Sequence, residues 1–311
     1  MVITQLKLNL MEKKTKKDTI DFIGIGGARC GSTWVSECLK EHPQILFSSQ
    51  KSRKELYFFN GTGKNVFQKK GVSFYDKGID WYLNMFPKYQ KGKIRGEFGI
   101  TYLTDPLAPK RIKKHFPDVK IIAILRNPVD MVYSLHWYCV NAVEPLVPVD
   151  FNEAIKKGFY LKEGEYYRHL NNYYSLFKKE NIHIILLDDV KNNPKKVVEN
   201  LYSFLGVDET FEPSVLYKKI NESLVVKNTF IKKLGQFFLN SLNSFKYTSS
   251  LRDWILKNSL IHTIYLKVNV TQGSYNKLDD ESLKKYLKSY FKPDLLKLEK
   301  LINRDLSAWY E

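Results

Sequence analysis

The chain has 311 residues, 43% of them apolar, enough for a sizeable core and too many for disorder over most of its length. No uncharged apolar run reaches the roughly 18 residues a membrane span needs, and no apolar segment with a small-residue cleavage site opens the sequence, so neither a span nor a secretory signal is expected. The net charge of +17 points to anionic partners, but only 8 of the 50 cations are arginine, so the lysines read as a solvated surface and arginines at motif positions say more.

Residues 1–19 are polar and lysine-rich and read as a flexible tail. Residues 21–25 are a short apolar run, followed by a turn crowded with Gly26, Gly27 and Gly31. Ser32 and Thr33 then lead into Trp34-Val35-Ser36-Glu37-Cys38-Leu39, whose apolar spacing is helical up to Pro43. Strand, glycine-rich turn and helix start together hold an anion: glycines let the backbone come close, N–H groups converge, and the helix dipole favours negative charge. Gly26 and Gly31 have the spacing of the nucleotide P-loop, but Ser32 stands where that motif has its lysine, and Arg29 is the loop's only cation. That lysine serves phosphoryl transfer with magnesium, so its absence argues against a kinase or ATPase. The three cysteines, at 30, 38 and 139, have neither an even count nor metal-ligand spacing, and fit a reducing cytoplasm with no metal.

Lys51-Ser52-Arg53-Lys54 runs straight into Glu55-Leu56-Tyr57-Phe58-Phe59, an anion-reading loop or a solvated turn capped by core aromatics. Gly78-Ile79-Asp80-Trp81-Tyr82 opens an amphipathic helix ending near Pro87, residues 93–98 form a second strand carrying Glu97, and Asp105-Pro106 begins a helix through His115. Residues 118–126 are a near-continuous apolar strand ending in Arg126, with Pro128 placed for the first turn of the next helix, which carries Asp130, Ser134 and His136. A helix over 166–179, a strand over 182–187 and a helix closing at Gly206 continue the alternation. Residues 229–268 are lysine- and aromatic-rich and helical in pattern, a candidate lid over an acceptor. Asp279 is expected to cap the helix after it, and Pro293 to open a separate last helix reaching Trp309. Strands alternating with helices predict an α/β fold with a doubly wound, mostly parallel sheet, helices on both faces, and one domain over 20–311.

Three blocks, Ala28-Arg29-Cys30-Gly31-Ser32-Thr33-Trp34, Arg126-Asn127-Pro128-x-Asp130-x-x-x-Ser134, and Arg304-Asp305-Leu306-Ser307-Ala308-Trp309, give the chain its resemblance to sulfotransferases that use 3′-phosphoadenosine 5′-phosphosulfate (PAPS). The Glu55-Leu56-Tyr57-Phe58-Phe59 and Gly78-Ile79-Asp80-Trp81-Tyr82 segments resemble the heparan sulfate N- and O-sulfotransferase branch and its bacterial relatives. The resemblance implies a P-loop-like turn binding the 5′-phosphosulfate through Arg29, Cys30, Gly31, Ser32, Thr33 and Trp34. It also implies that Arg126 and Ser134 hold the 3′-phosphate, that PAP (3′-phosphoadenosine 5′-phosphate) is the nucleotide product, and that Glu97 is the general base with Arg29 stabilising the leaving phosphate.

Two departures stand out. Arginine replaces the loop lysine, so Arg29 grips oxygens but cannot donate a proton, and Lys54 is a candidate for the missing ammonium. Near residues 271–277 the family's basic glycine loop is reduced to Gly273 and one cation, with Asn221, Ser223 and Lys227 as candidates to complete it. The expected partners are the nucleotide and a sugar or small-metabolite acceptor offering a hydroxyl or amine, with His136 a weak candidate to line the cleft. The competing readings are a P-loop-like phosphotransferase and a non-enzymatic binder of nucleic acid or a membrane surface, the latter resting on residues 229–268.

Overall fold

The computed structural model describes residues 19–48, 55–61, 73–141, 148, 150–218, 224–226, 270–272 and 278–311. The expectations placed on the tail, on Lys54, Asn221, Ser223, Lys227 and Gly273, and on 229–268 lie outside them.

Five short runs become strands: β1 (Phe22–Gly26), β2 (Ile45–Phe47), β3 (Ile94–Phe98), β4 (Lys120–Leu125) and β5 (Ile182–Leu186). They form one parallel sheet in the order β2-β3-β1-β4-β5 with helices on both sides. Parallel strands covered on both faces bury nearly every side chain, which is why β1 and β4 read as continuous apolar runs; Phe22, Ile23 and Ile121 to Leu125 are fully buried. Pairing sets Ile23 beside Glu97 on one flank of β1 and beside Ile121 on the other. The carboxyl ends of β3, β1 and β4 are therefore neighbours, where an open α/β sheet receives its ligand.

The helices are α1 (Ser32–Glu41), α2 (Ile79–Leu83), α3 (Ala108–His115), α4 (Pro128–Asn141), α5 (Phe151–Lys156), α6 (Tyr166–Tyr174), α7 (Leu187–Asn192), α8 (Pro194–Leu205) and α9 (Glu281–Ile302). Short polar side chains start several of them. Asp105 Oδ1 accepts from the N–H groups of Leu107 and Ala108, and Asn193 Oδ1 from that of Lys196. Gly206, left-handed at φ 76°, ends α8.

Two expectations at the C-terminal side are corrected. Asp280, not Asp279, caps α9, its Oδ1 accepting from Leu283 N–H at 2.9 Å. Pro293 does not begin a helix but lies inside α9. An internal proline costs about 3 kcal/mol, and here Phe291, Leu295 and Leu298, all fully buried on either side of it, offset that cost. Trp309 belongs to a 3₁₀ turn, Ser307–Trp309, beyond the helix.

Within the stretch expected to form one domain, the residues gather into two compact units. The first holds the sheet and spans 1–131, 163–220 and 286–311. The second spans 132–162 and 221–285, and its described residues include most of α4, α5, and the antiparallel pair β6 (Leu224–Val226) and β7 (Val270–Gln272).

Candidate active site

The turn after β1 takes its shape from glycine. Gly31 sits at φ 97° as the N-cap of α1, which begins without a side-chain cap. Arg29 is also left-handed, at φ 58°, a conformation rare enough outside glycine to mark a loop held by its surroundings. Those surroundings are visible: Gly27 N–H donates to the Ile124 carbonyl at 2.6 Å, and Arg126 Nη1 to the Arg29 carbonyl at 3.3 Å. Arg29, Gly31 and Thr33 are half-buried, whereas Cys30, Ser32 and Trp34 are buried. Trp34 is an anchor, its indole N–H donating to the Leu216 carbonyl. The Cys30 thiol donates to the Ala28 carbonyl and lies 3.6 Å from the Tyr166 hydroxyl. Burial pushes that thiol up to about 11, so it stays protonated and is no nucleophile.

Arg126 ends β4 beside this turn, with its guanidinium loosely engaged. Nη2 is 3.8 Å from Asp130 Oδ2, and Nε is buried with no hydrogen-bond partner among the described residues. A side chain with donors to spare next to an uncapped helix start suits a ligand bearing more than one phosphate. Behind the turn, Tyr166 packs edge-on against Trp309, whose indole donates to Asp188 Oδ2, and Arg304 grips Asp189 with bonds of 2.9 and 3.0 Å. The Arg304–Trp309 block thus braces α7 and the back of the loop.

Glu97 is fully buried on β3. In place of a salt bridge to Arg95, whose guanidinium donates to the Thr19 carbonyl, its Oε1 accepts from the Tyr82 hydroxyl at 2.7 Å and the Tyr102 hydroxyl at 3.1 Å. Burial, reinforced by the nearby Glu55 carboxylate and opposed by the tyrosine hydrogen bonds, pushes its carboxyl up to about 7. Gly96 does not open a path to it: a Cβ there would lie 2.5 Å from the Phe22 ring, so this glycine makes room for strand packing.

Sequence reasoning missed three of these groups. Glu55 is 6% exposed, and Tyr82 and Tyr102 are sealed among Phe58, Phe59 and Phe116. The available signal was a carboxylate abutting Leu56-Tyr57-Phe58-Phe59, of which Leu56, Phe58 and Phe59 are buried. Ser134 and His136, on α4, belong to the second unit. Ser134 is buried, and His136 is enclosed by Trp137, Phe151 and Tyr160, whose hydroxyl is 3.4 Å from Nδ1. Among the described residues no group of three or more His, Cys, Asp or Glu is arranged to hold a metal, and no helix is long and apolar enough to cross a membrane.

Fold and loop together define an α/β protein with a glycine-rich turn at the carboxyl edge of a parallel sheet. A family model described as the sulfotransferase domain matches residues 19–272, most of the chain, and the chain belongs to that family. It is 28% identical over 217 residues to the bifunctional heparan sulfate N-deacetylase/N-sulfotransferase 1 of Caenorhabditis elegans, covering 65% of this chain and 24% of that protein. It is 25% identical to the membrane-associated sulfotransferase kil1 of Dictyostelium discoideum, covering 92% of this chain and 65% of that one. The fold matches that of a sulfotransferase from Alicyclobacillus acidocaldarius with a TM-score of 0.62 at 23% identity, covering 94% of this chain and 99% of the other. The chain spans about a quarter of the length of the heparan sulfate relatives.

Proposed function

We propose that the chain transfers the sulfuryl group of PAPS to a hydroxyl or amine of a sugar or small metabolite. The observation that carries this reading is the uncapped start of α1 at left-handed Gly31, with the loosely held Arg126 guanidinium beside it. Arg29 and the first-turn N–H groups, with Ser32 and Thr33, take the 5′-phosphosulfate, and Arg126 takes the 3′-phosphate. The N-sulfotransferase names of the relatives favour a carbohydrate acceptor.

The acceptor oxygen or nitrogen attacks sulfur in line while the bridging oxygen leaves on the 5′-phosphate of PAP. Arg29 and the helix start stabilise the charge that collects there. Glu97 is the base expected to take the acceptor's proton, and a carboxyl near 7 is well matched to that task. A second reading is favoured by burial: Glu97 is fully sealed while Glu55 keeps 6% exposure, so Glu55 meets the acceptor and Glu97 stands behind it.

Thermal melts test the nucleotide assignment. PAP at about 100 times its dissociation constant adds about 2.7 kcal/mol to the bound form. A raised Tm with PAP, but not with ATP–magnesium or a DNA oligomer, is the expected result; stabilisation by ATP–magnesium and not by PAP would overturn it.

A further inference from the structure

Glu97 is held by one oxygen. The Tyr82 and Tyr102 hydroxyls, 2.7 and 3.1 Å away, both donate to Oε1. The other oxygen, Oε2, is buried and has no hydrogen-bond partner among the described residues. Oε1 is thus occupied twice over as an acceptor, while Oε2 keeps its lone pairs unused. A buried acceptor left unpaired is costly, and one at the carboxyl end of a central strand points to chemistry rather than to packing.

The surroundings fix the direction of these bonds. The Phe58 N–H donates to the Tyr102 hydroxyl at 3.1 Å. An N–H can only donate, so the hydroxyl accepts there and turns its own proton to Glu97. Tyr102 is itself anchored, its carbonyl accepting from the Tyr173 hydroxyl at 2.8 Å. Two residues beyond Phe58, buried Asn60 donates from Nδ2 to Asp105 Oδ2 at 3.2 Å and accepts at Oδ1 from the Thr101 hydroxyl at 2.9 Å. The Tyr82 ring stacks on Phe58, 4.6 Å between centroids, and lies edge-on to Phe59 and Phe86. Both tyrosines are fully buried, and burial holds their hydroxyls protonated, far above the usual range. The remaining titratable group near Glu97 is Glu55, from the 55–61 segment.

We propose that Tyr82 and Tyr102 are positioning residues that hold Glu97 by Oε1 and so assign proton acceptance to Oε2. The inference rests on Glu97 being the base of the transfer proposed above. In the step, the acceptor oxygen or nitrogen forms its bond to sulfur, and the sulfur–oxygen bond to the 5′-phosphate breaks with its electron pair on the phosphate. The acceptor's proton moves to Oε2, which becomes the O–H of a neutral carboxyl, while Oε1 remains the hydrogen-bonded carbonyl. The proton later returns to water. Two donors on Oε1 also favour the charged form, which keeps a fully buried carboxyl ionisable near neutral pH.

Infrared difference spectra of the full chain, without nucleotide or acceptor, read which oxygen carries the proton. Subtracting Glu97→Gln from wild type isolates the protonated Glu97 carboxyl band. With the proton on Oε2, the carbonyl is Oε1 and bears two hydrogen bonds, so the band lies at low wavenumber and fades with a midpoint of about 7. Tyr82→Phe and Tyr102→Phe keep the rings, and each should move the band to higher wavenumber. Each should also raise the midpoint by about one pH unit or more, because a donor to the charged form is lost. A tyrosine that only fills space would lower the melting temperature and move neither. If one variant fails to fold, the other carries the test, since each hydroxyl addresses Oε1 separately. No band down to about pH 5, a wild-type band at high wavenumber, or a band unmoved in the folded variants would overturn the assignment. Since no substrate is present, that failure leaves the transfer reaction standing. Transfer from PAPS surviving in Glu97→Gln, with the spectra as expected, would instead remove Glu97 as the base.

Discussion

Replacing Arg126 by alanine separates the two phosphates of the nucleotide. The guanidinium is committed to little within the protein: 3.3 Å to the Arg29 carbonyl, 3.8 Å to the half-exposed Asp130, and nothing among the described residues at Nε. An exposed ion pair of that length is worth at most about 1 kcal/mol, so the side chain is nearly free to serve a ligand. Each charge-assisted hydrogen bond contributes about 1.5–3 kcal/mol. A two-pronged grip on the 3′-phosphate therefore amounts to roughly 3–6 kcal/mol, a loss of about 10²–10⁴-fold in affinity. Calorimetric titration with PAP and with adenosine 5′-phosphosulfate, which lacks the 3′-phosphate, provides the comparison. Arg126→Ala should cost the full factor for PAP and only a few-fold for the other, the small common loss reflecting a loosened Arg29 carbonyl. Equal losses for both ligands would refute the assignment of Arg126 to the 3′-phosphate.

Glu97→Gln should leave PAP binding intact and abolish transfer; if transfer survives in it and is lost in Glu55→Gln, the acceptor meets Glu55. Glu97 also makes stability pH-dependent. Its folded value of about 7 lies above the ordinary 4.5, so the folded state keeps a proton that the unfolded chain releases. This contribution is complete below about pH 4.5 and is lost as pH rises to about 7, a fall of roughly 3 kcal/mol. Urea unfolding across that window should show a flatter profile for Glu97→Gln than for wild type, and parallel profiles would contradict the buried acid. Gly31→Ala forces a Cβ into φ 97° and to 2.9 Å from Leu187 Cδ1, costing about 1–2 kcal/mol and weakening stabilisation by PAP; an unchanged melt with full PAP response would show that the loop tolerates it. Trp309→Phe removes the 2.9 Å bond to Asp188 and should lower stability by about 1–3 kcal/mol in urea, with no change counting against the brace.

The sheet was readable chiefly from β1 and β4, whose side chains are buried and apolar; β4 ends where Arg126 interrupts the run. The turn after β1 was readable because few sequences other than glycine-rich ones bring N–H groups to a phosphate. The acid cluster was not. Glu97 meets its hydrogen-bond donors Tyr82 and Tyr102 only through tertiary packing, and Glu55 is buried on a segment remote in sequence. Nothing local distinguishes such a tyrosine from its buried counterparts Tyr166 and Tyr173. Pro293 misled for the opposite reason: its local preference for a helix start is strong, but tertiary burial of Phe291 and Leu295 overrode it.

The packing of Tyr166 against Trp309, behind the Cys30 thiol, ties the order of folding to the order of synthesis. The glycine turn at residues 26–31 leaves the ribosome well before Trp309, the ring that backs its brace. A nascent chain that has not reached Trp309 carries every loop residue and lacks the wall behind them. Nucleotide binding by stalled ribosomal complexes would therefore appear late, and the loop would act as a reporter that translation has run through residue 309.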